Sequence, residues 1–257
     1  MNLVFDIDGT ICFDGQQIDE EITRRLTSLH NVGHRIIFAS ARPIRDLLPI
    51  LPKAFHDMSL IGGNGSIISE KQTIQTLATI SHTDFQIIKD VIKKYDLNYI
   101  IDDEWDYAAN VSATNEIYKR LDPLHLAQKQ SIDVITSPIK VILLNISTQH
   151  FEAIATHLSE KAPHLSLINH SNELNIDITA QHINKYTAIE YILGTNPVYI
   201  AFGNDHNDIT MLNNAETGYF VNNKALNLPI FENNYKLNSI EPNAASICKI
   251  LDQLLDS

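Results

Sequence analysis

Asp6-Ile7-Asp8-Gly9-Thr10 follows the apolar run Leu3-Val4-Phe5 and precedes Ile11-Cys12-Phe13. A hydrophobic strand that ends in two carboxylates one residue apart is chemically odd. Strand side chains alternate faces, so Asp6 and Asp8 would share a side if the strand continued. Two like charges that close repel unless a cation or a proton lies between them. Taken alone, D-x-D before glycine reads most simply as a strand end running into a surface turn, because Asp-Gly is common turn chemistry. The rest of the chain reverses that reading.

Working outward, Asp19 caps an expected helix with Ile22, Leu26, Leu29 and Val32 at helical spacing and Gly33 as terminator. Arg35–Ala39 reads as a buried strand ending in Ser40-Ala41-Arg42. Pro43 opens a helix with Leu47, Leu48, Ile50 and Leu51 on its apolar side, and Met58–Ile61 is another strand. Alternating strands and helices at this spacing predict a parallel sheet with crossover helices. Gly62-Gly63-Asn64-Gly65 breaks the rhythm and marks a hinge. Beyond it come expected strands at Ser66–Ser69 and Gln72–Leu77, a helix over His82–Tyr95, a strand over Leu97–Asp102 and a helix over Ala113–Leu121. Lys140–Ile146 is a strongly apolar strand, Phe151, Ile154 and Leu158 share a helix face, and Leu165–Asn169 and Glu173–Ile178 pair about Ser171-Asn172. The first rhythm resumes with a helix from Lys185, a strand over Val198–Phe202 ending in Gly203-Asn204-Asp205-His206-Asn207-Asp208, a strand over Gly218–Val221 and a closing amphipathic helix. The expected fold is α/β: a Rossmann-like doubly wound core from 1–64 and 178–257, with an α+β cap, 65–177, inserted between Gly65 and Ile178.

Composition narrows the function. The 257 residues are 44% hydrophobic, ample for a sizeable core, and carry a formal net charge of −12. No long basic run occurs, which argues against nucleic acid or an anionic membrane as partner. A negative protein acting on an anionic substrate needs a local cation. The only cysteines, Cys12 and Cys248, lie far apart and suit a reducing compartment. No signal peptide is expected, and no run approaches the roughly 18 apolar residues needed to span a bilayer. The expectation is a cytoplasmic protein, monomeric or a weak homodimer.

Three polar clusters share one structural address, the carboxyl end of a predicted parallel strand: Asp6/Asp8, Ser40, and Asn204–Asp208. Ligands of open α/β sheets bind at that edge. Carboxylates and amide oxygens suit Mg²⁺, a hard ion with oxygen ligands. Ser40 and Lys185 can bind phosphate oxygens by hydrogen bond and by charge. One carboxylate can serve as nucleophile, and a second can protonate a leaving alkoxide and then activate water.

With DIDGT at 6–10, Ser40 in FASAR, Lys185 in INKYTAIEYI and GNDHNDITML at 203–212, the chain resembles a haloacid dehalogenase-superfamily phosphatase of the Cof type, with a large cap between the second and third motifs. The resemblance spans nearly the whole chain, the cap matching in size and position only. It implies Asp6 as nucleophile and metal ligand, and Asp8 as general acid/base whose backbone carbonyl also binds the metal. Thr10 supports the loop. Ser40, with the backbone at Ala41, binds the transferring phosphoryl group, and Lys185 neutralises it. Asn207 and Asp208 complete the phosphate-side network and the metal shell. Asn204 stands where the family carries a directly ligating Asp; its amide oxygen can still ligate Mg²⁺ but brings no charge, and a local shift could bring in Asp205. Ala41 replaces the usual Gly before Arg42, and Tyr186 a frequent Gly.

Arg42 either reaches substrate or cap, or pairs with a surface acid. Asn64 either faces the phosphate site or serves only the turn. Trp105 and Tyr107 read as a small core under a loop rather than a cover for the leaving group. His206 is expected to face solvent, and Cys12 to be a small buried residue. The implied function is a Mg²⁺-dependent phosphatase for small phosphomonoesters, sugar phosphates or related metabolites, through an aspartyl-phosphate. Two alternatives stand beside it: a phosphotransferase or mutase using the same intermediate, and a non-catalytic ligand-binding protein, to which only Asn204 points.

Overall fold

The computed structural model describes residues 1–221 and 236–256; residues 222–235 and 257 of the expected core range lie outside the described residues. The strands are β1 (Asn2–Asp6), β2 (Arg35–Ala39), β3 (Ser59–Gly62), β4 (Ile67–Glu70), β5 (Thr73–Thr76), β6 (Asn98–Asp102), β7 (Tyr107–Asn110), β8 (Lys140–Leu144), β9 (Leu165–His170), β10 (Asn175–Ala180), β11 (Ile200–Gly203), β12 (Thr217–Val221) and β13 (Leu237–Ile240). The helices are α1 (Glu20–Asn31), α2 (Ile44–Leu47), α3 (His82–Tyr95), α4 (Glu116–Lys119), α5 (Thr148–Lys161), α6 (Lys185–Leu193), α7 (Ile209–Asn214) and α8 (Ala244–Leu255). None of them is long and apolar enough to cross a membrane.

The first sheet runs β13-β12-β11-β1-β2-β3-β4-β5, parallel from β13 to β3. The middle of its central strand β1, Leu3-Val4-Phe5, is apolar on both sides because both faces of the sheet are covered. Leu3 and Phe5 join a cluster with Ile22, Leu26 and Leu29 of α1 and Ile247 and Leu251 of α8. Val4 points the other way, to Ala188 and Ile189 of α6 and Met211 and Leu212 of α7. This is the expected doubly wound α/β core. The strand order reverses direction at β1, whose neighbours are β2 on one side and β11 on the other. The DIDGT and GNDHND ends therefore lie side by side at a topological switch point.

The second sheet, β7-β6-β8-β10-β9, is antiparallel. Alternation sorts its residues. Ile101, Val141 and Leu143 pack with Phe85 and Ile88 of α3 and Phe151 and Ile154 of α5. Ile100, Ile142 and Leu144 face away, toward Ile117, Tyr118 and Leu121 of the segment between β7 and β8.

Five expectations need correction. The strands at Ser66–Ser69 and Gln72–Leu77, expected in the inserted unit, are β4 and β5, which add antiparallel to β3 and extend the first sheet. A tight turn at 63–65 makes that hairpin cheaper than a crossing to the other sheet. The passage between sheets thus falls between β5 and α3, and the return after β10, at Ala180, past the boundary set at 177/178. The helix expected over Ala113–Leu121 shrinks to α4, because Ser112 and Asn115 turn their side chains onto nearby N–H groups instead. The helix after Pro43 is likewise one turn, α2. Val32 lies past the end of α1 and is exposed.

Candidate active site

β1 delivers Asp6 as its last residue, and the chain then folds tightly. The carbonyl of Ile7 accepts from the N–H groups of Thr10, Ile11 and Cys12 at 3.2, 3.1 and 2.9 Å. Gly9 takes φ +77°, and a Cβ there would come within 2.2 Å of Asn204 Nδ2, so both conformation and contact demand glycine. This turn ends the strand before Asp8, and the two carboxylates part company.

Asp6 points inward. Its Oδ1 lies 2.6 Å from Lys185 Nζ, and the same ammonium lies 2.7 Å from Asp208 Oδ1. Lys185 is the first residue of α6, and Asn184 and Thr187 form a reciprocal capping box that fixes the start of that helix. The turn at 63–65 presses on the same point: Gly65 has φ +105°, and a Cβ would sit 2.2 Å from the Asn184 carbonyl oxygen. Burial would push Lys185 down, but Asp208 and Asp6 hold it above the ordinary lysine value. Burial, then the Asp208 charge, push Asp6 up to about 7 against the pull of Lys185. Two carboxylates share one ammonium, so the second negative charge in this dry site calls for a proton or a cation.

That second charge bears on the metal. Thr10 Oγ1 lies 2.6 Å from Asp6 Oδ2 and 3.2 Å from Asn204 Oδ1. One hydroxyl proton cannot serve both acceptors at once. Two oxygens of hard-ligand type and a second negative charge fit a small divalent cation. Among the described residues no three His, Cys, Asp or Glu side chains are grouped to hold a metal. Asp208, expected in the metal shell, is fully buried; beyond Lys185 it accepts from the N–H groups of Asn204 and Asp205 at 2.9 and 3.1 Å. Asp205 turns its carboxylate to the His206 N–H at 2.6 Å. His206 is exposed, as expected.

Ser40 is buried at the end of β2; its Oγ accepts from the Arg42 N–H at 3.1 Å. The Ser40 carbonyl accepts from the Asn64 N–H at 3.1 Å, and Asn64 Oδ1 accepts from Asn207 Nδ2 at 2.9 Å. Asn64 is buried with φ 57°, and its Nδ2 has no partner. The expected phosphate-side residues Ser40, Asn64 and Asn207 are therefore one connected group with a spare donor.

Asp8 faces a cavity of about 320 Å³ between the two sheets. Arg42 grips it with both arms, Nη2 to Oδ1 at 2.6 Å and Nε to Oδ2 at 2.8 Å. The partner of Arg42 is thus Asp8 beside the cavity, and not the surface acid that the sequence reading offered. Across the cavity, Lys140 of β8 donates to the Ala41 carbonyl at 3.2 Å and pairs with Asp177 at 2.6 Å. Burial, then Asp8, raise the thiol of Cys12 to about 11, in keeping with the inert residue expected.

A family model described as haloacid dehalogenase-like hydrolase matches residues 3–229. The chain belongs to that family. Among curated proteins nothing matches. Among solved structures, SMU.1108c from Streptococcus mutans UA159 is 21% identical, with a TM-score of 0.79 over 100% of this chain and 99% of that one. TM0651 from Thermotoga maritima is 17% identical, with a TM-score of 0.77 over 98% and 96% of the two chains. The sugar phosphatase BT4131, described as of HAD subclass IIB, is 19% identical, with a TM-score of 0.71 over 98% of each. At these identities the likeness is one of fold.

Within this haloacid dehalogenase-like hydrolase, sequence reasoning missed a second ionic centre. Arg45 of α2 has a fully buried side chain that bonds Asp46 at 2.9 Å, Asp102 of β6 at 2.7 Å and the Trp105 carbonyl at 2.6 Å. Its guanidinium carbon lies 5.0 Å from the centre of the Tyr107 ring. Asp46 also accepts from the Asp122 N–H at 2.8 Å. Trp105 is partly buried against the first-sheet core and Tyr107 is buried in the second sheet, so both pack, as expected. The one signal for this group in sequence was a charged pair, Arg45-Asp46, inside an apolar run. Lys140 gave a clearer one, a lysine opening the strand KVILL, every residue of which is buried.

Proposed function

We propose that this chain is a cytoplasmic Mg²⁺-dependent phosphatase that hydrolyses small phosphomonoesters through a phosphoryl group carried on Asp6. The observation that carries the reading is the contact of Lys185 Nζ with Asp6 at 2.6 Å, between residues 179 apart in sequence. Such a buried, positioned ammonium orients a carboxylate nucleophile and faces the charge that develops when it attacks. Asp6, the Asp8 carbonyl and Asn204 would hold Mg²⁺, which supplies positive charge for the oxygens of the transferring group. Ser40, the Ala41 backbone, Asn207 and the spare Asn64 donor bind those oxygens. Asp208 holds Lys185 and the 203–208 loop in place. Once one arm of Arg42 lets go of it, Asp8 carries a proton on the freed oxygen, gives it to the leaving oxygen and then takes one from water, while the other arm keeps it aimed.

The second-sheet unit acts as a cap over this site, and the cavity between the sheets takes the leaving group. Its volume suits a metabolite of sugar-phosphate size. Hydrolysis of a panel of phosphorylated metabolites with Mg²⁺, by wild type and Asp6→Asn, tests the reading. Turnover by the wild type and a loss of at least about 10³-fold in the variant is expected. Undiminished turnover by Asp6→Asn would overturn it.

A further inference from the structure

The charges that line the cavity are mostly accounted for. Asp8 is paired with Arg42, Asp46 and Asp102 with Arg45, and Asp177 with Lys140. Two acids remain without a cation, Asp205, which caps His206, and Glu173, an exposed residue in the turn between β9 and β10. One cation remains as well. Arg120, exposed at the cavity wall, forms no ion pair among the described residues; Glu116, one turn earlier, is bonded to Lys119 and feels the Arg120 charge only at longer range. It belongs to the segment after β7, at the opposite edge of the second sheet from the turn that carries Glu173.

Arg120 is placed by built structure. It directly follows α4, its N–H bonds the Ile117 carbonyl at 3.1 Å, and the Asp122 N–H two residues on is tied to Asp46 at 2.8 Å. Its guanidinium lies against Gly15, where a Cβ would come 2.9 Å from Arg120 Cζ. The Gly15 carbonyl in turn accepts from Arg42 Nη2 at 3.0 Å. Two guanidiniums therefore flank one loop residue beside the site. The first is spent on Asp8. The second keeps its fork of donors, which matches carboxylate or phosphate oxygens two at a time. Part of the cavity wall is apolar, with Ile100, Ile117, Leu121 and Ile142, and most of the acids that complete it are already held by Arg42, Arg45 and Lys140.

We propose that Arg120 is a specificity residue that binds a second anionic group on the substrate, so that the preferred phosphomonoesters carry a carboxylate or a second phosphate on the leaving group. This rests on the phosphatase reading above. Two substrate pairs isolate the feature. 6-Phosphogluconate differs from sorbitol 6-phosphate by a carboxylate, and fructose 1,6-bisphosphate differs from fructose 6-phosphate by a phosphate. The expected result is a kcat/KM advantage of roughly ten- to hundredfold for the anionic member of at least one pair, carried mainly by KM, as a charge-assisted hydrogen bond would give. Which pair shows it identifies the anion. Arg120→Gln should erase the advantage and leave the other member within about twofold, and Arg120→Lys should keep part of it. Turnover with no advantage in either pair, or an advantage that survives Arg120→Gln, overturns the inference and leaves the phosphatase reading intact. No turnover of any of the four, or of p-nitrophenyl phosphate, removes that reading and the inference with it.

Discussion

Among the described residues, two buried cations each lie between two carboxylates: Lys185 between Asp6 and Asp208, and Arg45 between Asp46 and Asp102. They differ in what is left over. Around Arg45, the guanidinium fork is filled by carboxylates and backbone carbonyls, and Asp46 of helix α2 and Asp102 of strand β6 come from the two different units. Around Lys185, two oxygens compete for the Thr10 hydroxyl, and Asp6 is pushed up to about 7, first by burial. A filled ionic cluster fixes structure, and an unfilled one beside a cavity is equipped for a ligand.

Exchanging each cation for methionine breaks the comparison most sharply. Lys185→Met should cost roughly 10²- to 10³-fold in kcat, the scale for losing one charge-stabilising donor. Arg45→Met strands two buried acids and should cost about 3–5 kcal/mol of stability, read from urea unfolding, while kcat per folded molecule changes only a few-fold. If the two variants traded effects, the assignment of one cluster to chemistry and the other to structure would be reversed.

The contrast also explains what was legible in the sequence. Asp6, Ser40, Lys185 and Asp208 each sit at the end of a strand or the start of a helix whose pattern was plain, and strand ends of a parallel sheet converge by topology. Arg45 and Asp102 lie 57 positions apart, in a one-turn helix and an antiparallel strand, and nothing local ties them. The Arg42–Asp8 pair escaped for a related reason: the turn after β1 rotates Asp8 away from Asp6, which no two-residue alternation foretells. β4 and β5 were recognised as strands, but their sheet depends on the 63–65 turn, a tertiary choice.

Asn204 is the next place to press. Asn204→Asp restores a charge beside Asp6 and should lower the Mg²⁺ concentration for half-maximal activity about tenfold, equivalent to about 1.4 kcal/mol. Unchanged Mg²⁺ dependence would remove Asn204 from the metal shell. The smallest effect belongs to Cys12, one turn beyond the site. Its thiol is raised from 9.0 to about 11, so between those values the folded chain keeps a proton the unfolded chain has lost. Stability should fall as pH rises through that window, and Cys12→Ala should flatten the slope.

The central claim is that Asp6 carries the phosphoryl group. Rapid acid quench during Mg²⁺-supported turnover, followed by peptide mass spectrometry, tests it directly. The account predicts one added phosphoryl group on the peptide containing Asp6, absent from Asp6→Asn. A phosphoryl group trapped on another residue, or the same label persisting in Asp6→Asn, would contradict it.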